Sequence, residues 1–91
     1  MRVEKSFRGI SKRLATHYLG NLGGERIEGD PEGEGPVTVE GSDWTATLTA
    51  EKVDVAASIR LTEVTVVFEG EEETLPELVD DFSQKAMRAG G

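Results

Sequence analysis

Apolar and polar residues alternate from Val3 to Arg8, with Val3, Lys5 and Phe7 on one side and Glu4, Ser6 and Arg8 on the other. That pattern predicts a half-buried strand, which Gly9 stops. The period then changes. Leu14, Ala15, Tyr18, Leu19 and Leu22 recur at helical spacing, Ser11 is a good N-cap with Ile10 before it, and Gly23-Gly24 allow a left-handed stop. A helix from Ser11 to about Leu22 is expected. Glu25 to Glu28 reads as a short strand with Ile27 facing inward, and Gly29 to Gly35 as a solvated acidic loop with nothing apolar to bury.

Beyond Pro36 the period is two. Val37 and Val39 form one strand, Gly41-Ser42 a turn, and Trp44, Ala46 and Leu48 the next strand. Glu51-Lys52 is expected to turn the chain again, Val53 to Leu61 to alternate as a strand, Thr62-Glu63 to turn, and Val64, Val66 and Phe68 to finish the sheet. Thr74 followed by Glu77 predicts a capping box, with Pro76 in the first turn of a helix whose stripe is Leu75, Leu78, Val79, Phe82 and Ala86. The expected order is β-α-β-β-β-β-β-α. Short connections argue an antiparallel sheet of five or six strands, polar on one face and covered by two helices on the other, an α+β two-layer sandwich.

Size and composition narrow the picture. The chain has 91 residues, no cysteine, a net charge of -8 and a pI near 4.6. A chain this short buries about 60–65% of its unfolded surface, enough for one core, so residues 1–91 are read as a single domain. The lack of cysteine excludes disulfides, thiol catalysis and cysteine-held metal. No apolar run approaches the roughly 18 residues of a membrane span, and a cytoplasmic location is expected. Residues 1–24 carry +4 and residues 25–91 carry -12. An acidic body with one Trp and one Tyr argues against nucleic-acid binding, and it fits the surface of a protein from a salt-accumulating, halophilic organism.

Candidate chemistry is sparse. Carboxylates cluster at Asp30, Glu32 and Glu34 and at Glu71, Glu72 and Glu73, without calcium-loop spacing, and are read as solvated charge in preference to weak divalent-ion sites. His17 lies off the apolar stripe and is read as a surface residue. No nucleotide-binding, zinc or nucleophile motif occurs, so no catalytic residue, metal or cofactor is expected.

Two features remain. At Arg8-Gly9-Ile10-Ser11-Lys12-Arg13 a strand ends at a glycine and a helix N-terminus follows with three cations, as an anion site requires. The candidate residues are Arg8, Gly9, Ser11, Lys12 and Arg13; the alternative is that the protein's own acids neutralise them. The chain ends in Gly90-Gly91, the tail used by ubiquitin-like sulfur carriers and protein modifiers, although a glycine pair is also an ordinary helix end. An edge near residues 25–40 offers strand pairing across a two-fold axis, but its glycines and acids read as protection, so the oligomeric state is open.

Phe7-Arg8-Gly9-Ile10 with Leu14, the helix end Tyr18-Leu19 to Leu22-Gly23-Gly24, and the strand-rich middle closed by Leu75-Pro76-Glu77-Leu78 resemble a small family. It is the C-terminal domain attached to some MoaD-related proteins, which also occurs free-standing in halophilic archaea. The resemblance implies an α+β domain of helix-grip type and a neighbourhood in molybdopterin or sulfur-transfer biology. The expected function is a non-catalytic binding or accessory domain whose basic corner takes an acidic protein partner or a phosphorylated small molecule. The alternative is a diglycine-tailed sulfur carrier or modifier.

Overall fold

The computed structural model describes residues 1–90, with side chains as far as Arg88. The chain runs β1 (Arg2–Arg8), α1 (Lys12–Asn21), β2 (Glu25–Glu28), β3 (Val37–Glu40), β4 (Trp44–Ala56), β5 (Ile59–Gly70) and α2 (Leu75–Gly90). The five strands form one antiparallel sheet in the order β1-β5-β4-β3-β2, and the first and last strands in sequence are thereby brought together. The architecture is the expected α+β sandwich.

Alternation decides which face is covered. Val64, Val66 and Phe68 on β5 and Ala46 and Leu48 on β4 are fully buried beneath the helices, while Thr45, Thr47, Thr65 and Val67 face the other way and are half-buried. Helix α1 packs on β2, β3 and β4, and α2 on β1 and β5, so the helices share the face and touch each other. Phe82 of α2 is fully buried and meets Phe7, Phe68 and Tyr18 edge-on, with ring centroids 5.3, 5.6 and 6.4 Å away. At the other end of the core the Trp44 ring lies against the backbone of Gly24 and Gly41.

Helix α1 begins and ends as the sequence predicts. The Leu14 amide donates to Ser11 Oγ at 3.0 Å. At its end Gly23 takes φ +97°, and the Gly24 and Gly23 amides donate to the Leu19 and Gly20 carbonyls, the two bonds of a Schellman motif. Helix α2 starts differently. The Thr74 amide, which a capping box would give to Glu77, donates to the Glu71 carbonyl at 3.1 Å, because Glu71 to Thr74 fold into a turn of their own.

Three expectations for the strands need correction. Glu51-Lys52 and Thr62-Glu63 do not turn: Glu51 pairs with Glu63 and Lys52 with Thr62 inside one long hairpin. What the sequence divides into three segments after Ser42 is two strands, and the order is β-α-β-β-β-β-α. The true turn, Ala57-Ser58, has no glycine or asparagine, and no non-glycine residue among those described has positive φ. The usual mirror-image hairpin turns are therefore excluded, and a register shift between Asp54 and Ala56 absorbs the mismatch in twist. Likewise, a register shift between Arg26 and Glu28 leaves Ile27 without a partner and 55% exposed, where the sequence places it inward.

The hairpin outgrows its neighbours. Pairing with β3 stops at Leu48 and pairing with β1 starts at Glu63, so Thr49–Thr62 projects as a two-stranded arm and the molecule measures 42 × 23 × 20 Å. The acidic loop, by contrast, is folded down. Asp30 organises it by accepting the Glu32 amide on its carboxylate and the Gly33 amide on its carbonyl. Lys12 then clamps it, donating from Nζ to the Gly33 and Gly35 carbonyls at 2.7 and 2.6 Å, and is only 7% exposed.

Two substitutions check this packing. Phe82→Ala is expected to destabilise by about 3–5 kcal/mol, since it removes the ring shared by both layers; chemical denaturation measures it. Lys12→Met removes two charge-assisted hydrogen bonds and is expected to cost about 1.5–3 kcal/mol, with faster amide hydrogen exchange confined to residues 30–35.

Candidate functional site

The expected basic corner does not converge. Arg8 pairs across the sheet with Glu63 and lies on the face away from the helices, where its Nε donates to Glu63 Oε2 at 2.9 Å. On β4 the residue opposite Glu63 is Glu51, so Arg8 offsets a like-charged cross-strand pair. Lys12 is turned into the acidic loop by its two carbonyl bonds. Arg13 follows it, with Nε 3.7 Å from Glu32 Oε1. Each cation of the corner thus has a partner within the chain. Cations at a helix N-terminus are locally unfavourable, and at Lys12 and Arg13 the loop's carbonyls and carboxylate offset that cost.

Gly9 ends β1 and Ser11 caps α1, as the sequence predicts. Gly9 leaves β1 at φ +87° and donates its amide to the Thr62 carbonyl at 3.1 Å, which swings the chain over the root of the arm. Ser11 Oγ takes the Leu14 amide and the Ser11 carbonyl takes that of Ala15. The amides of Lys12 and Arg13 are the donors that a first helical turn leaves without an intrahelical partner.

Gly9, Ile10 and Ser11 form one wall of an open cleft of about 340 Å³ whose other wall is Lys52, Arg60, Leu61 and Thr62 of the arm. Lys52 and Arg60 sit on the helix side of the sheet, as Val64 and Val66 do further along β5. Lys52 Nζ donates to Thr62 Oγ1 at 2.8 Å and has no carboxylate within 4 Å among the described residues, while Arg60 Nε lies 3.1 Å from Asp54 Oδ1. The charge facing this helix N-terminus comes from the arm. Sequence reasoning misses it because it assigns Lys52 to a turn, and only the β4–β5 register brings Lys52 and Arg60 to the same side.

A larger hollow of about 570 Å³ lies at the other end of β4 and β5, lined by Glu40, Asp43, Glu69 and Glu71 around Gly41, Trp44 and Gly70. Its charge repels anions. Among the described residues no three His, Asp or Glu side chains converge as a metal site would require, and no helix is long and apolar enough to cross a membrane. His17 is exposed, with its Nε2 3.4 Å from the Asn21 amide nitrogen. At the C-terminus Gly90 is the last residue of α2, and Gly91 of the expected carrier tail lies outside the described residues.

No curated protein and no solved structure gives a significant match to the chain. A family model does, described as archaeal MoaD-like protein and matching residues 3–91. With nearly its whole length covered, from β1 through α2, the chain belongs to the archaeal MoaD-like protein family.

Proposed function

We propose that this domain is a non-catalytic accessory module that recognises an anionic group, carried by an acidic protein partner or a phosphorylated small molecule, at the cleft between α1 and the β4–β5 arm. The observation that carries the reading is Lys52: it lines the cleft opposite Ser11, its ammonium bonded to a hydroxyl and, among the described residues, to no carboxylate. Around it stand the groups an anion needs. The N-cap of α1, Ser11, and the Arg60 side chain, which keeps an ion pair with Asp54, border the same space, and the positive end of the helix begins at the next residue. Gly9 and Ser11 serve from the corner read in the sequence, while Lys12 and Arg13 are held by the loop and Arg8 by Glu63. Family membership supports a setting in molybdopterin or sulfur-transfer biology.

The family match also favours a second reading, the diglycine-tailed carrier. Topology weighs against it. A ubiquitin-like grasp needs a two-stranded hairpin before its main helix and a tail leaving from a strand; here one strand precedes α1, and Gly90 belongs to a helix.

Titration with millimolar inorganic phosphate, followed by NMR, is expected to shift the Gly9 to Arg13 amides together with Lys52 and Arg60. Lys52→Gln should weaken that response several-fold, and unmoved amides would discard the site. Intact mass of the protein from its native host separates the second reading: a C-terminal thiocarboxylate or adduct, lost when Gly91 is deleted, would establish the carrier.

A further inference from the structure

We propose that the protein forms a two-fold dimer in which the free edge of β4, Thr49–Ala56, pairs antiparallel with the same edge of a second copy, centred on Val53. The first ground is the edge itself. Beyond Leu48 no strand lies beside β4 opposite β5 among the described residues, because β3 begins at Val37 and Pro36 before it has no amide to extend the ladder. A run of unpaired N–H and C=O groups of this length is a template for another strand. The edge expected to be available, near residues 25–40, is shorter and carries Glu25, Glu28 and Glu40.

Charge selects the occupant. The chain carries -8, yet Thr49–Thr62 holds two acids, Glu51 and Asp54, and two bases, Lys52 and Arg60. A second copy meets no net repulsion at the arm, unlike over most of the acidic body. Charge also selects the register. Across a two-fold axis normal to the sheet, facing residues share a face, so one residue must sit opposite itself. Centring on Glu51, Lys52 or Asp54 sets a charge against its own copy. Centring on Val53 sets Lys52 opposite Asp54 twice and valine against valine, and the register shift beyond Asp54 ends the regular ladder there.

The apolar side chains fit the same axis. Val53 pairs with Leu61 on the face away from the helices, and Val55, Ile59 and Leu61 are 45%, 54% and 37% exposed. Joining the edges at Val53 brings these two patches together into one strip across the dimer. The contact is a single strand pair with its flanking side chains, which falls in the small, weak class of interfaces, with a dissociation constant on the order of 100 μM.

Sedimentation equilibrium at fixed ionic strength tests the pairing. The wild-type chain should show a reversible monomer–dimer equilibrium. Lys52→Asp alone and Asp54→Lys alone each set like charges opposite one another and should weaken dimerisation by about tenfold or more, while the double swap should restore it. Thermal melts of each variant at low concentration check that the monomer is intact, as expected because both substituted positions are exposed on the arm. Amide exchange at Thr49 to Asp54 should slow as concentration rises. A wild-type chain that is monomeric at about 1 mM, a dimer indifferent to the single swaps, or a double swap that fails to restore it would each overturn the proposal.

Discussion

The contact of Phe82 with Phe7, Phe68 and Tyr18 joins everything else. These four are all but one of the chain's five aromatic residues, and they come from α2, β1, β5 and α1. A small acidic protein has little apolar surface to bury, so the large rings are concentrated where four elements meet. The edge-on geometry suits rings that carry negative faces and positive rims. The remaining aromatic, Trp44, closes the opposite end of the core, with Gly24 and Gly41 lacking side chains so that the indole can approach their backbone.

With the core placed at one end of the β4–β5 hairpin, the other end is left outside it. The arm is the structural origin of both the proposed anion cleft and the proposed dimer. Its helix-side surface carries Lys52 and Arg60 to the cleft beside the N-cap of α1, and its free edge carries the charges on which the proposed dimer rests. The two uses involve the same lysine. Within one copy Lys52 rests on Thr62 Oγ1, a neutral partner that leaves its charge available to a bound anion or to Asp54 of a neighbouring arm.

Lys12 shows why charge in a sequence does not by itself make a site. Read along the chain, it is one of three cations at a helix start. In the fold its ammonium is nearly buried and holds down a loop 21 to 23 residues away in sequence. Arg8 and Arg13 are likewise spent on Glu63 and Glu32. In the proposed reading, an anion at this helix end would be met by side chains of the arm.

Local physics was legible residue by residue. The Ser11 cap, the Schellman stop at Gly23-Gly24, the α2 stripe and the buried alternation of Val64, Val66 and Phe68 each depend on neighbours within a few positions, where spacing and backbone preference decide the outcome. Tertiary structure decided what hinges on distant partners. Glu51-Lys52 and Thr62-Glu63 stay extended because each pair completes the other's ladder, and Ile27 turns outward because its strand slips by one residue against β3. The cleft belongs to this second kind: its lysine and arginine lie eight residues apart on two strands, and only hydrogen-bond register places them on one side, facing the helix.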